Sequence, residues 1–390
     1  MKKICKIVGI VLLFLLVAAI LLLGYLQITE YKPKDEEEVQ VTGEGSKTIQ
    51  EGETVKVLTY NIGYGALDKS HDFFMDGGSD VNADSRQQVL QNMQGISSKV
   101  YEVNADVTFL QETDKDSNRS YHIDESAYMQ AAFPGTSAAY AINFRCAFIP
   151  YPLPPIGKVE SGLTTLNQFS VTEARRISLE GSFSWPIRLA QMKRCLLVER
   201  VPLENSNKEL VLVNLHLEAY DSDGAGKKAQ TEQLFSFLQE EYEKGNYCIA
   251  GGDFNQMFDN IGLEEYPIKD SEYSYQPGNI DTQDMAEKGW TFANDASTPT
   301  CRLLNQPYKP VSEDTQYYVV DGFITSPNIS VKSTETLDCS FAYSDHNPVL
   351  LTAVLGDSQE EEDKDADTDT AKQKQDKSKD TKKDKKTKED

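Results

Sequence analysis

Hydrophobic and polar positions fall into three regimes along the chain. From Ile7 to Ile28 the sequence reads IVGIVLLFLLVAAILLLGYLQI, without a single charged residue. Coiled as a helix the run is ~33 Å long, enough to cross a hydrocarbon layer of ~30 Å. Lys2, Lys3 and Lys6 precede it and Glu30 follows. That charge bias keeps residues 1–6 in the cytoplasm and sends the rest of the chain outward. A cleaved signal peptide is the alternative, but its apolar core would be roughly 7–15 residues long, and Gly24-Tyr25-Leu26-Gln27 is a poor cleavage site. The expectation is an uncleaved single-pass anchor in the cell membrane over residues 7–28.

Over residues 54–356 short β-branched runs alternate with helical patterns. Thr54 to Asn61 (TVKVLTYN), Ala105 to Gln111, Leu163 to Val171, Cys195 to Val201 and Glu209 to Leu217 (ELVLVNLHL) predict strands. Tyr247 to Ala250, Tyr317 to Ile324 and Val349 to Val354 continue the series, while Val89–Val103 and Lys227–Tyr242 carry helical periodicity. This order is neither a strict βαβ repeat nor all-β, so an α/β (α+β) domain with mixed sheets and flanking helices is expected. No fixed-period repeat and no Pro/Gly linker divides it.

The third regime is polar. Residues 29–53 are rich in Glu, Lys and Gly and read as a stalk. Residues 357–390 are almost all Asp, Glu, Lys, Gln, Ser and Thr. Such a segment cannot bury enough apolar surface to offset ordering entropy, and a disordered tail is expected. About 300 residues remain, a length that suits one large domain.

The net charge of −23 disfavours non-specific binding of long polyanions, which is driven by phosphate neutralisation. It suits attraction of divalent cations. Cys5 precedes the apolar run, and the five widely scattered cysteines beyond it, Cys146, Cys195, Cys248, Cys301 and Cys339, do not make a disulfide framework in a domain of this size; at most two pairs could form, and buried thiols are the default.

Polar residues recur where the apolar runs stop. Asn61, Glu112, Asn214, His216, Asp253, Asn255, Asp321, Asp345 and His346 all occupy such positions. Each alone has an ordinary reading as a cap, a turn residue or an exposed strand end. As a set they are harder to explain that way. Asp253 and Asn255 lie two apart, as do Asn214 and His216, so each pair shares a face in extended chain. Oxygen donors suit a hard cation such as Mg²⁺ or Mn²⁺, a carboxylate-oriented histidine can move a proton, and asparagine can donate to phosphoryl oxygens. Zinc is poorly supported, since there is no C-x-x-C, H-x-H or H-E-x-x-H. No G-x-S-x-G elbow is present. The Gly224-Ala-Gly226-Lys227-Lys228 segment lacks the leading glycine and the trailing Ser or Thr of a phosphate loop.

The segments VLTYNIG (Val57–Gly63), FLQE (Phe109–Glu112), NLHL (Asn214–Leu217), GGDFN (Gly251–Asn255), VDGFITSPN (Val320–Asn328) and SDHNPV (Ser344–Val349) resemble, in order, those of the endonuclease/exonuclease/phosphatase superfamily. The resemblance implies a four-layered sandwich of two facing mixed sheets, with the site at one rim. It also implies Glu112 as main metal ligand with Asn61 and Asp345 close to the metal, and His346 oriented by Asp321 to act on the attacking water or the phosphate. Asp253 is the rival for activating water. His216 would stabilise phosphoryl oxygens or protonate the leaving oxygen, and Asn255 would hold the phosphate. Where many members carry Arg-Ile-Asp-Tyr this chain has Val319-Val320-Asp321-Gly322, and GLAILSR is replaced by Gly162-Leu-Thr-Thr-Leu-Asn167.

For the substrate, Arg119, Tyr121, Arg145 and Asn214 are candidate contacts. His122, just beyond Arg119, could touch a phosphate or simply be solvated, and His71 reads as part of a structural loop. The apolar, proline-rich loop Cys146–Gly157 is a lip over the site, a lipid contact or an ordinary surface loop. The expectation is an outward-facing, metal-dependent phosphoric ester hydrolase, monomeric, acting on a small phosphodiester or a phospholipid headgroup. An extracellular nuclease is the alternative, nucleic acid being possible but not favoured. A catalytically inert surface binding protein on the same fold is the reading from another class.

Overall fold

A computed structural model describes residues 2–221, 224–261, 266–270, 272–310 and 314–356. The expectation for 357–390 lies outside the described residues.

Two seven-stranded mixed sheets face each other. The first runs Glu36–Glu38, Glu173–Ser178, Cys195–Pro202, Glu209–His216, Tyr247–Asp253, Asp321–Thr325, Thr291–Ala293. The second runs Ile329–Thr336, Val349–Leu355, Thr54–Asn61, Val107–Asp114, Gly157–Asn167, Ser137–Ile149, Val41–Gly43. Between them lies a core that includes Val55, Val57, Phe109, Leu212, Ile249, Phe323 and Leu351. The helix Arg86–Val103 covers the outer face of the second sheet through Val89, Met93, Ile96 and Val100. The helix Ala225–Glu243 covers the first through Leu234 and Leu238. This is the four-layered sandwich that the resemblance implied. An apolar helix, Lys2–Thr29, precedes it.

Local chemistry explains several boundaries. Ser85 caps the helix Arg86–Val103 by accepting the Gln88 amide, and Asn104 closes it in the left-handed region at φ 50°. The run read as one strand from Tyr317 to Ile324 breaks at Val319-Val320, and its second half, Asp321–Thr325, joins the first sheet. The strand expected over 163–171 instead spans Gly157–Asn167 and pairs with Ser137–Ile149, which the apolar pattern did not reveal.

The stalk reading of residues 29–53 needs correction. Glu36–Glu38 and Val41–Gly43 are edge strands of the two sheets, and Ile49 is fully buried in the core. Val39 and Val41 pack against Ala139, Leu163 and Leu197. Three well-spaced apolar residues suffice to dock a segment whose composition is otherwise polar. Only Glu30 to Asp35 separate the apolar helix from the first strand.

Polar side chains also cross the inner space. Gln111 donates to Asn214 (2.8 Å) and Asn167 donates to Glu199 (2.8 Å), each pair linking one sheet to the other. Most buried polar side chains find such partners.

Candidate active site

Strand register assembles the first half of the site. Glu209–His216 and Tyr247–Asp253 are parallel, with His216 opposite Asp253. Asp321–Thr325 runs antiparallel, with Asp321 opposite Asp253. Three strand ends therefore place His216, Asp253 and Asp321 in one row at one rim. Across the sandwich, the parallel strands Thr54–Asn61 and Val107–Asp114 end at the same rim. Between Leu110 and Thr113 the pairing shifts register, and Glu112 takes a φ of 52°. A bulge of this kind re-aims a side chain, here into the cleft, and a strained non-glycine residue is a common mark of a functional site.

The rim surrounds a cleft of about 380 Å³. Glu112, His216, Asp253, Asn255, Asp345 and His346 line it. Asn61 and Asp321 stand behind them. Asn61 Nδ2 donates to Glu112 Oε1 (3.2 Å) and to Asp253 Oδ2 (3.0 Å), joining the two halves of the site. Asp321 Oδ2 accepts from His346 Nδ1 at 2.8 Å, which fixes the tautomer and turns Nε2 toward Asp253 Oδ2, 3.7 Å away. Asp253 Oδ1 accepts from the Asn255 amide (2.8 Å). Asn255, itself at φ 50°, donates to the Leu217 carbonyl (3.0 Å) and accepts from the Tyr275 hydroxyl (2.9 Å).

Burial sets the electrostatics. It pushes Asp253 up to about 7, with Asp321 across the ladder adding to the effect. Burial likewise holds Glu112 and Asp345 above the usual carboxylate range, Glu112 further by the charge of Asp345. Burial alone would strip His346 of its proton. Asp321 above all, with Cys301, Asp253 and Asp345, outweighs it and holds the imidazole well above its ordinary value. His216 goes the other way, driven well below its ordinary value by burial and then by Arg194, even with Asp253 Oδ2 at 3.5 Å.

The donor set fits a hard dication. Asp345 is buried and Glu112 half-buried in one cleft, where they repel each other, and Arg119, the guanidinium that acts on Glu112, is engaged by both oxygens of Asp114 (2.9 and 3.1 Å). Oxygen donors with surplus negative charge are what Mg²⁺ or Mn²⁺ takes. Two other ligand clusters meet on His346, one with Cys301 and Asp345 and one with Asp253 and Asp321. Neither suits such an ion as well. His346 Nδ1 already serves Asp321, and burial pushes the Cys301 thiol up to about 12.

The four expected substrate contacts separate. Arg119 lines the cleft, its guanidinium 3.6 Å from the centre of the Tyr64 ring. The other three do not line it. Tyr121 is exposed and donates to the Asp84 carbonyl. Arg145 pairs with Glu160 (2.8 Å). Asn214 is wholly buried, donating to the Thr164 carbonyl (3.0 Å) and accepting from Gln111, so it pins the sheets together instead of meeting substrate. His122 pairs with Asp116 (2.6 Å), and His71 is a buried loop residue against Asp68 (3.2 Å). Of the proline-rich loop, Ile149, Tyr151 and Ile156 form part of the cleft wall, so it is a lip.

Sequence reasoning missed Asp76, Tyr220, Tyr275 and Arg302, which also line the cleft. Asp76 accepts from the Tyr220 hydroxyl (2.9 Å) and is pushed up to about 6 by burial. None ends a strand-like apolar run, and none falls in the six segments that carry the family resemblance.

Fold and cleft together define a sandwich of two facing mixed sheets with carboxylates, amides and histidines gathered at one rim. The model of the Endonuclease/Exonuclease/phosphatase family matches residues 58–346, and the chain belongs to that family. Family members are phosphoric ester hydrolases that generally use divalent metals. Among solved structures, an endonuclease/exonuclease/phosphatase from Beutenbergia cavernae DSM 12333 superposes with a TM-score of 0.55 at 14% identity, over 78% of this chain and 72% of that one. A Bacteroides vulgatus endonuclease/exonuclease/phosphatase gives 0.48 at 15% identity, over 78% and 99%. The human Nocturnin catalytic domain gives 0.46 at 14%, over 81% and 96%. The first of these likenesses shows the fold. No curated protein matches the chain in sequence.

Proposed function

We propose that this protein is a membrane-anchored phosphodiester hydrolase whose catalytic domain faces outward and acts on a small phosphodiester or a phospholipid headgroup. The observation that carries the reading is one cleft that gathers the carboxylates of Glu112, Asp345 and Asp253 beside His346, which Asp321 holds from behind. Glu112 and Asp345, with Asn61 beside them, would hold a divalent ion, which when bound supplies charge neutralisation at the phosphoryl group. Asp321 orients His346 so that Nε2 meets water or a phosphoryl oxygen. Asp253, between His216 and His346, is the second group able to take the proton of the attacking water. His216 and Asn255 border the space where the phosphoryl oxygens and the leaving oxygen would lie.

The substrate class rests on two features. A net charge of −23 works against long polyanions, and the helix Lys2–Thr29 is long and apolar enough to cross a membrane. The test is hydrolysis by the full-length protein in detergent with Mg²⁺ or Mn²⁺, using bis(p-nitrophenyl) phosphate beside DNA, RNA, sphingomyelin, phosphoinositides and cyclic dinucleotides. Activity should vanish with chelator and in Glu112→Ala and His346→Ala proteins. Full activity in either variant, or activity surviving chelator, would sink the mechanism. A preference for DNA or RNA would move the assignment to a nuclease.

A further inference from the structure

The end of the apolar helix is packed against the wall of the cleft. Leu22, Leu23 and Leu26 form one cluster with Phe144, Cys146, Ile149, Leu189 and Ala190. Phe144, Ile149 and Ala190 also line the cleft. The Trp185 indole donates to the Gln27 side chain (3.1 Å), and Lys193 reaches Glu30 (3.3 Å). The connection leaves little slack, because six residues, Glu30 to Asp35, separate the helix from a strand of the first sheet.

Length then fixes the depth of this contact. Lys6 is the last charge before the apolar run. The 20 residues from there to Leu26 rise ~30 Å, the thickness of the hydrocarbon layer. Leu26 therefore sits at the outer boundary of the bilayer, and whatever packs on it sits there too. Around it the domain exposes large apolar side chains: Leu153 is 87% exposed, Ile187 57% and Trp185 56%. Tyr151 stands at the mouth of the cleft, 69% exposed. Aromatic residues beside an apolar helix suit the membrane interface, whereas a patch of this kind facing water needs a partner.

We infer that Leu153, Trp185 and Ile187, exposed beside the cleft and outside its lining, lie in the surface of the membrane the helix crosses, so that the site is loaded with phospholipid headgroups from that bilayer. The inference rests on the hydrolase reading for its chemistry and on geometry alone for its placement. In the reaction the water oxygen joins phosphorus and one P–O ester bond breaks. One proton passes to the leaving alcohol oxygen, and the phosphomonoester keeps the other.

Two measurements on full-length protein in vesicles of phosphatidylcholine, phosphatidylglycerol and sphingomyelin test it. The first removes the buried Trp290 by Trp290→Phe, leaving Trp185 as the sole tryptophan. Lipids brominated near the headgroup should quench its fluorescence at least twofold; no quenching overturns the placement. The second compares wild type with Leu153→Asp/Trp185→Ala/Ile187→Asp. Release of phosphomonoester from vesicle lipid should fall at least tenfold, while hydrolysis of soluble bis(p-nitrophenyl) phosphate stays within twofold. Equal loss on both substrates, or on neither, refutes this patch as a lipid-loading surface. Hydrolysis of the soluble diester with none of any vesicle lipid overturns the substrate class while leaving the hydrolase intact. Inactivity on every diester refutes the hydrolase reading and the loading chemistry, and the quenching still decides the placement.

Discussion

Glu199 offers a direct test of the inner seam of the sandwich. It lies on the strand Cys195–Pro202, wholly buried, and its Oε2 accepts from Asn167 of the facing sheet at 2.8 Å. Its Oε1 makes no hydrogen bond among the described residues. Burial pushes its pKa from 4.5 up to about 8, with the Asn167 bond working weakly the other way. A carboxyl whose folded value is raised contributes stability that is fully present below pH ~4.5 and is lost as pH rises through ~8. In that window the folded chain holds a proton that the unfolded chain has released, so unfolding free energy falls by ~1.4 kcal/mol per pH unit. Between pH 5 and pH 8 the loss amounts to about 4 kcal/mol. In Glu199→Gln the amide cannot ionise and this slope disappears. Urea unfolding of both proteins in the same detergent at pH 5, 6.5 and 8 isolates the effect, since every other titrating group is common to the two. The variant should gain about 4 kcal/mol on wild type across that range, on top of any constant offset. Parallel stability–pH curves would refute the placement of a neutral carboxyl between the sheets.

Three other outcomes follow from the geometry. Glu112→Gln should lower phosphodiester hydrolysis at least ~10²-fold yet raise the melting temperature in chelator, because burial already disfavours the Glu112 charge; adding Mg²⁺ should then stabilise wild type and leave the variant unmoved. Asn214→Ala should cost about 1–3 kcal/mol in urea unfolding, since it removes the Gln111–Asn214 bond between the sheets, leaving Gln111 Nε2 with Thr59 Oγ1 alone, and takes a donor from the Thr164 carbonyl; if the lost side chain were a substrate contact instead, KM would rise with stability unchanged. Gly252→Ala should lose about 4 kcal/mol or more, seen as insoluble or thermally fragile protein, because Gly252 has a φ of 152° and an added Cβ would run into the Leu215 carbonyl of the adjacent strand.

Alternation and strand-end chemistry made much of this molecule legible from sequence. Thr54–Asn61, Glu209–His216 and Val349–Leu355 are fully or mostly buried strands, and their continuous apolar runs announce them. The polar residues that end such runs, Asn61, His216 and Asp253, do meet at one rim, because parallel neighbours end on the same side. What stayed hidden has physical causes. Asn214 looked like a rim residue because it shares a face with His216, but it lies two residues deeper, beneath the cleft floor, where a polar side chain survives by bonding across the sheets. Tyr121 follows Glu112 closely in sequence and Arg145 immediately precedes the proline-rich loop, yet the chain leaves both on other surfaces. Asp76 and Tyr275 come from irregular segments, whose paths no periodicity encodes. The four-layer arrangement itself depends on which strands become neighbours, and local pattern does not carry that; the family resemblance supplied it.

The placement of Asn61 shows how fold and chemistry are tied here. Its amide donates to Glu112 of its own sheet and to Asp253 of the facing sheet, and its carbonyl oxygen accepts from the Gly63 amide. Glu112 reaches that amide only because a bulge turns it out of its strand, and Asp253 only because the ladder holds it opposite Asp321. One side chain therefore joins a carboxylate on the metal-fitting side of the cleft to one on the proton-handling side. The spacing between the two sides is set by the distance between the sheets, which the Gln111–Asn214 and Asn167–Glu199 bonds hold below it. A site built on two sheets gains rigidity from the whole core, and it also becomes sensitive to polar residues far from any substrate. That sensitivity is why changes deep in the seam should lower stability and disturb alignment at the rim together.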